Sequence, residues 1–383
     1  MPLRWRDAMS RALYGPDGFF VSGTGPAGHF RTSVHASPAF ASAVFRLVSR
    51  LDAALGFPAP FDVVDVGAGR GELLRAVAAL ARAEAAVPSP AAPSLAGTAS
   101  ASASPATAPE PPPLAHRLRL TAVELAPRPA GLPPDITWTA ETPEAVTGLL
   151  IATEWLDNVP LDVAVPAEDG WRYLLVDPTT GEETPGSPLT PEDTTWLTTW
   201  HPSPVIKSFA SADGPDPDAN LLITGLGGPV GRVEVGRGRD VAWAGVVGRL
   251  RRGVAVAVDY GHLRGARPVG GTLAGYRGGR QVPPVPDGSC DVTAHVAMDS
   301  VAAAGERVAR CAYTLVSQRE ALLALGADGG RPPLSLAGTD PAGYVRALAA
   351  ASAVAELTDP AGLGGHWWLL QPVGVTLDAL MAR

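Results

Sequence analysis

From Ser37 onward, Phe40, Val44, Leu47, Val48, Leu51 and Leu55 recur at helical spacing, with Arg46 and Arg50 off the stripe. That pattern predicts an amphipathic helix, and Ser37-Pro38 offers a cap followed by a first-turn proline. The spacing then gives way to the apolar run FDVVDV, which reads as a short buried strand. Three glycines follow, and Leu73, Leu74, Val77 and Leu80 restore helical spacing. Strand, tight glycine turn and helix form the opening of a βα unit.

Six more strand-like runs lie downstream: RLRLTAVEL, ITWTA from Ile136, GLLIATEWLD from Gly148, GVAVAVDYG from Gly253, CAYTLVS, and HWWLLQPVG. Helical stretches alternate with most of them. The order predicts an α/β fold, doubly wound, with a mostly parallel sheet covered on both faces. Trp367 and Trp368 are expected to cover that sheet as core.

Two segments break the alternation. Residues 88–113 (PSPAAPSLAGTASASASPATAPEPPP) have no periodicity, no aromatic residue and almost no charge. Such a segment buries too little surface to offset its ordering entropy, so a disordered insertion is expected. Residues 161–235 change to short polar, Trp-bearing segments and read as a hairpin-rich inserted subdomain that covers the substrate. The expected division is an N-terminal helical extension (1–56), a cofactor-binding half (57–160), that insertion (161–235) and a second half (236–383).

Composition narrows the function. The chain has 383 residues, 46% of them hydrophobic, and a net charge of −8. It is therefore globular, and it lacks the basic footprint of a general nucleic-acid binder. No apolar run approaches the roughly 18–20 residues of a membrane span. Two cysteines, Cys290 and Cys311, fit a reducing cytoplasm, and neither a disulfide framework nor a zinc site is expected. Lys207 is the only lysine and sits in an irregular stretch, which argues against lysine chemistry.

The glycine turn carries the first candidate chemistry. Gly67, Gly69 and Gly71 stand two apart, and Asp65 lies two before the first. A dinucleotide site spaces its glycines Gly-x-Gly-x-x-Gly for a pyrophosphate, and a phosphate loop adds a lysine. Neither is present. The spacing is that of class I methyltransferases using S-adenosyl-L-methionine, whose ammonium and sulfonium suit a neighbouring carboxylate. The bland alternative is a tight turn with packing glycines. Glu124 ends the second strand, where an acid accepts hydrogen bonds from ribose hydroxyls about 20 residues after the glycines. Setting 88–113 aside leaves roughly that separation.

These motifs, with others in the same order, resemble the MidA-like S-adenosylmethionine-dependent methyltransferases, a family that includes the mitochondrial arginine methyltransferase assisting respiratory complex I assembly. ALYGPDGFF (12–20) and GHFRTS (28–33) resemble its N-terminal signature. DVGAGRGEL and AVEL resemble its cofactor loop and ribose acid, and ATEWLDNVPLDV (152–163) its Asn-Glu-x-x-Asp-x-x-Pro segment. AVDYGH, GTLAGY and DVTAHV resemble its C-terminal blocks. The resemblance implies a seven-stranded Rossmann-like methyltransferase sheet, S-adenosyl-L-methionine as cofactor, and an arginine in a protein substrate, such as a respiratory-complex subunit, as methyl acceptor. Three departures fall where substrate belongs: His29 for the usual Asp, Thr153 for Asn, and Arg277-Gly278-Gly279-Arg280 where a histidine usually follows. They leave small-molecule methylation, or a non-catalytic cofactor-binding assembly factor, as alternatives.

A guanidinium acceptor calls for carboxylates. Glu154 and Asp157, at the end of the fourth strand, are the candidate catalytic pair, three apart and so on one face of a helical turn. Otherwise Glu154 caps a helix and Asp157 is solvated. Thr32 and Ser33 are candidates for contact with cofactor or substrate, or for capping the helix after Ser37. Asp259 and Tyr260 are candidate pocket-liners, with Asp259 alternatively holding a loop. His295 is expected to satisfy a hydrogen bond of the fold, and no histidine shows metal-ligand spacing.

Overall fold

A computed structural model describes residues 1–22, 32–87, 111–201, 231–327 and 329–381. Each of the seven apolar runs forms a strand of one sheet: β1 (Phe61–Val66), β2 (Leu118–Val123), β3 (Ile136–Thr139), β4 (Val146–Thr153), β5 (Leu250–Asp259), β6 (Thr314–Ser317) and β7 (Trp367–Val373). Their spatial order is β3-β2-β1-β4-β5-β7-β6. β7 runs antiparallel to both β5 and β6, while β1 to β5 pair in parallel. The chain thus starts at the middle of the sheet and winds outward in both directions.

Residues of odd and even position in a strand face opposite sides. Phe61, Val63, Leu149 and Ile151 pack on one side beneath helices α1 (Pro38–Leu55) and α2 (Glu72–Ala86). Val64, Val66, Leu150 and Ala152 pack on the other beneath α3 (Arg237–Gly248) and α4 (Met298–Ala309). Burial on both faces explains why the central strands read as unbroken apolar runs. α1 begins as its sequence predicts: Ser37 Oγ accepts the Ala39 N–H at 3.1 Å, and Gly56 closes the helix at φ +78°. Trp368 is wholly buried on the sheet; Trp367 is partly buried and donates through Nε1 to Gly261 O at 3.3 Å.

The inserted region builds its own antiparallel sheet. Asp162–Ala167 pairs with Gly170–Val176, which pairs with Glu183–Pro188, and Val233–Val235 closes the other edge. Leu3–Arg4 is a strand paired antiparallel with Leu175 and Val176 of this sheet, and Trp5, Met9 and Leu13 pack against Val163, Leu174 and Val176. The first residues therefore pack with the inserted sheet, while α1 packs beneath the main sheet. A strand of two residues carries no legible period, which is why the sequence hides it. A further small sheet, Ala274–Arg277, Arg280–Val282 and Asp291–Thr293, stands beside the carboxyl edge of the main sheet.

Of the expected disordered insertion, 88–113, all but residues 111–113 lies outside the described residues, as do Lys207 and His29. Arg117, just downstream, is buried and forms a two-pronged bond to buried Asp52 of α1 at 2.7 and 2.6 Å. No helix among the described residues is long and apolar enough to cross a membrane.

Candidate functional site

The carboxyl ends of β1, β2, β4 and β5 converge on one crevice, the place where open α/β sheets hold their ligands. β1 ends in Asp65-Val66, and the chain turns at Gly67, Gly69 and Gly71 with φ of +73°, +58° and +79°. A side chain at Gly67 would clash, because a Cβ there would lie 2.6 Å from Cδ1 of Trp155. At Gly69 the nearest atom to a Cβ is Glu72 Oε2, 3.7 Å away, so this glycine faces the opening. Glu72 then starts α2.

Glu124 closes β2 from the other side. Its Oε2 accepts the Gly69 N–H at 3.1 Å, and its Oε1 accepts the N–H groups of Leu125 and Ala126 at 2.7 and 3.1 Å. The expected ribose acid therefore also ties the glycine turn to the neighbouring strand. Two joined cavities flank that turn, and Gly67 and Gly69 line both. One holds Asp65, Glu72, Thr32 and His35; the other holds Glu124, Tyr14, Trp155 and Val159.

β4 ends at Thr153, four residues before the end of the run read as strand, and Glu154 takes a left-handed conformation at φ +50°. Such a backbone costs a non-glycine residue of order 1–3 kcal/mol and needs support. Support comes from β5, whose Val258 O accepts the Glu154 N–H at 2.7 Å. The bend sends the Glu154 carboxylate to the Ser33 N–H, which donates to Oε1 at 2.8 Å. Asp157 follows in a 3-10 turn, Leu156–Asn158, which excludes Glu154. The two acids are thus not partners on one helical face, yet both line a third cavity with Tyr260, Thr293, His295 and His366. Glu154 lines all three cavities.

Asp157 is buried, at 4% exposure, and not solvated. Its Oδ2 accepts from the Tyr260 hydroxyl and from Thr293 Oγ1. Asp259 holds the loop: its Oδ2 accepts the N–H groups of Leu156 and Asp157 at 2.9 and 3.3 Å, and Oδ1 accepts that of Tyr260 at 3.0 Å. Tyr260 is the pocket-liner of the pair. His295 donates its backbone N–H to Thr272 Oγ1 at 2.8 Å, but its ring lines the third cavity, 5.1 Å from the Tyr260 ring.

The segment before α1 covers this junction. Thr32 precedes the one-turn helix Ser33–Ala36 and pairs through Oγ1 with His35 Nδ1 at 2.6 Å. His35 Nε2 lies 3.4 Å from Glu72 Oε1. Thr32 lines the first and third cavities, whereas Ser37, and not Thr32 or Ser33, caps α1. His35, Glu72, Thr293 and His366 escaped the sequence reading. Only Glu72, directly after the last glycine, had a local signal, as an acid in the first turn of a helix.

The electrostatics fit a cationic ligand. Burial, with Glu124 and Glu72 nearby, pushes the Asp65 carboxyl up to about 7. Burial also pushes Glu154 up to about 7, against the lowering effect of the Ser33 N–H. Carboxyls so placed regain their charge when a positive group arrives. The ammonium and sulfonium of S-adenosyl-L-methionine are such groups, and the open face of Gly69 leaves room for close approach. The donor set and the glycine cradle therefore suit this cofactor, which Asp65, Gly67, Gly69, Gly71 and Glu124 could hold.

A family model described as "Putative S-adenosyl-L-methionine-dependent methyltransferase" matches residues 104–315. The fold is similar to the crystal structure of a Burkholderia thailandensis protein bound to S-adenosyl-homocysteine, at TM-score 0.68 and 22% identity, covering 99% of this chain and 90% of the other. It is similar also to a native crystal structure of an uncharacterized protein of that organism, at TM-score 0.65 and 21% identity, with 99% and 90% covered. No curated protein matches the chain. At such identities the structural likeness bears on the fold, and the family model bears on the chemistry: the chain belongs to this S-adenosyl-L-methionine-dependent methyltransferase family.

Proposed function

We propose that the chain transfers the methyl group of S-adenosyl-L-methionine to a guanidinium nitrogen of an arginine in a protein substrate. Asp65 and Thr32, beside the glycine turn, would hold the amino-acid end of the cofactor, and Glu124 would hold its sugar. The bound cofactor supplies an electrophilic methyl carbon, and the protein's share of the work is alignment and charge. One observation carries the acceptor assignment: Glu154, Asp157 and Asp291 line the third cavity, and among the described residues none of their three carboxylates bonds an arginine side chain. A wall of carboxylates is what a planar, multiply donating cation requires.

Glu154, shared by the cofactor cavities and the acceptor cavity, stands where the two reactants meet. With Asp157 it orients the guanidinium so that one nitrogen faces the methyl group, and such alignment supplies much of the rate. As the new N–C bond forms, the methyl–sulfur bond breaks and its electron pair stays on sulfur, leaving neutral S-adenosyl-homocysteine, while the attacking nitrogen sheds a proton. A Glu154 carboxyl that titrates near 7 is matched to receive that proton at neutral pH. Asp65 and Glu124 hold the cofactor and take no part in that transfer.

The test is incubation of the purified chain and methyl-labelled S-adenosyl-L-methionine with protein and small-molecule fractions of a cell lysate. Label recovered as methylarginine after acid hydrolysis of the protein fraction is expected. Label confined to small molecules overturns the protein reading. Binding of S-adenosyl-homocysteine without any labelled product points instead to a cofactor-binding scaffold.

A further inference from the structure

Arg239, on the first turn of α3, is 1% exposed and among the largest fully buried side chains. Among the described residues its guanidinium donates only to main-chain carbonyls: Val159 O at 3.2 Å, Ala294 O and His295 O at 2.9 Å each, and Asp157 O. Those carbonyls belong to two loops. One follows β4 and carries Asp157 and Asn158; the other follows the strand Asp291–Thr293, which ends in Thr293, and carries His295. All four of these side chains line the acceptor cavity. Gly238 allows the close approach, since a Cβ there would lie 3.1 Å from Pro160 O.

A buried charge without a hydrogen-bonded carboxylate is a poor device for stability. A well-packed apolar side chain is often as good or better. The charge is nevertheless close to Asp157 and Asp259, with Glu234 and Tyr260 also facing it. Asp259 braces the same loop from β5, and Asp291 accepts from Asn158 Nδ2 at 2.7 Å. One guanidinium thus fixes the two walls of the cavity to each other and sets a positive charge behind its carboxylates.

We propose that Arg239 is a positioning residue for the methyl acceptor: it holds Asp157 and Thr293 in register and tunes the cavity's attraction for a cationic group. This rests on the reading of the third cavity as the acceptor site. Agmatine, a small guanidinium, serves as a probe of that cavity in the full chain loaded with S-adenosyl-homocysteine, with binding followed by titration in NMR.

Arg239→Lys keeps the charge and loses the fork; Arg239→Met loses both. The expected result for Arg239→Lys is agmatine binding weakened by about tenfold or more, with S-adenosyl-homocysteine affinity within twofold of the parent. For Arg239→Met, the rise of agmatine affinity with pH moves upward by about one pH unit, because a charge that favoured the cavity's carboxylates has gone. A side chain that merely filled space would lower melting temperature and leave this pH profile in place. Agmatine affinity within twofold in Arg239→Lys, or an unmoved profile in a folded Arg239→Met, overturns the proposal. If Arg239→Met fails to fold, Arg239→Gln takes its place for the pH profile. Absence of agmatine binding to the parent chain itself instead removes the acceptor assignment on which the proposal rests.

Discussion

The backbone N–H of Ser33 donates to Oε1 of Glu154 at 2.8 Å, joining segments 121 positions apart. Ser33 Oγ also donates to Gln318 Oε1 at 3.3 Å, at the start of the helix that follows β6. The short helix before α1 is thereby fixed over the point where the three cavities meet. Its position depends on a carboxyl oxygen that also belongs to the proposed reaction.

Glu154→Gln separates these roles. The amide oxygen still accepts the Ser33 N–H, but the side chain takes no proton. Loss of a positioned general base costs about 10²–10⁴-fold in rate. Methyl transfer is expected to fall by at least about 10²-fold, with S-adenosyl-homocysteine affinity changed only a few-fold by calorimetry.

Gly67 and Gly69 respond differently to a methyl group. Both have positive φ, which costs an alanine roughly 1–2 kcal/mol. Gly67→Ala also drives a Cβ into Trp155, an overpacking worth roughly 1–3 kcal/mol more. Chemical denaturation is expected to show Gly67→Ala as the less stable variant. Gly69→Ala, whose Cβ would point into the opening, loses cofactor affinity with the smaller change in stability.

Asp65 and Glu154 both titrate near 7 in the folded chain, against about 4 when unfolded. Between those limits the folded state holds more protons than the unfolded one. Linkage then makes the stability of the ligand-free chain fall as pH rises from 4 to 7. A ligand cation favours the ionised carboxylates, so cofactor affinity strengthens across the upper part of the same window. Calorimetry at pH 6 in two buffers of different ionisation enthalpy is expected to show proton release on binding. The release should be larger for S-adenosyl-L-methionine, which carries the sulfonium, than for S-adenosyl-homocysteine.

Tyr260→Phe deletes a donor to buried Asp157 and, among the described residues, leaves only Thr293 on that oxygen. Leaving a buried acceptor under-satisfied costs about 1–3 kcal/mol. The expected effect is a fall of about tenfold in kcat/KM for the methyl acceptor with unchanged cofactor affinity. A matched loss of cofactor affinity would place Tyr260 at the wrong cavity.

Away from the site, Asp52→Ala strands the buried Arg117 guanidinium and is expected to cost about 3–5 kcal/mol in chemical denaturation. Replacing both partners by Leu and Met should recover most of that loss, since neither charge is then buried alone.

Local pattern was enough for much of this protein. Short apolar runs, set off from stretches of period 3.6, marked all seven strands of the main sheet, Ser37-Pro38 marked the start of α1, and the alternate glycines after Asp65 marked the turn between β1 and α2. These features depend on neighbours within a few residues, so the chain writes them in order. Glu124 needed one step more, because its distance from the glycines makes sense only with residues 88–113 set aside.

Tertiary structure decided the rest. That Glu154 leaves β4 in a left-handed bend, that Asp157 is buried against Tyr260 and Thr293, that His35 reaches Glu72, and that Arg239 spans two loops all follow from contacts between distant segments. The strand Leu3–Arg4 exists only because the inserted sheet offers it an edge. Carboxyl groups of ordinary type acquire values near 7 only through burial and each other's charge. A sequence names these side chains, but the dielectric around them and the partners they meet are set by packing across the whole chain.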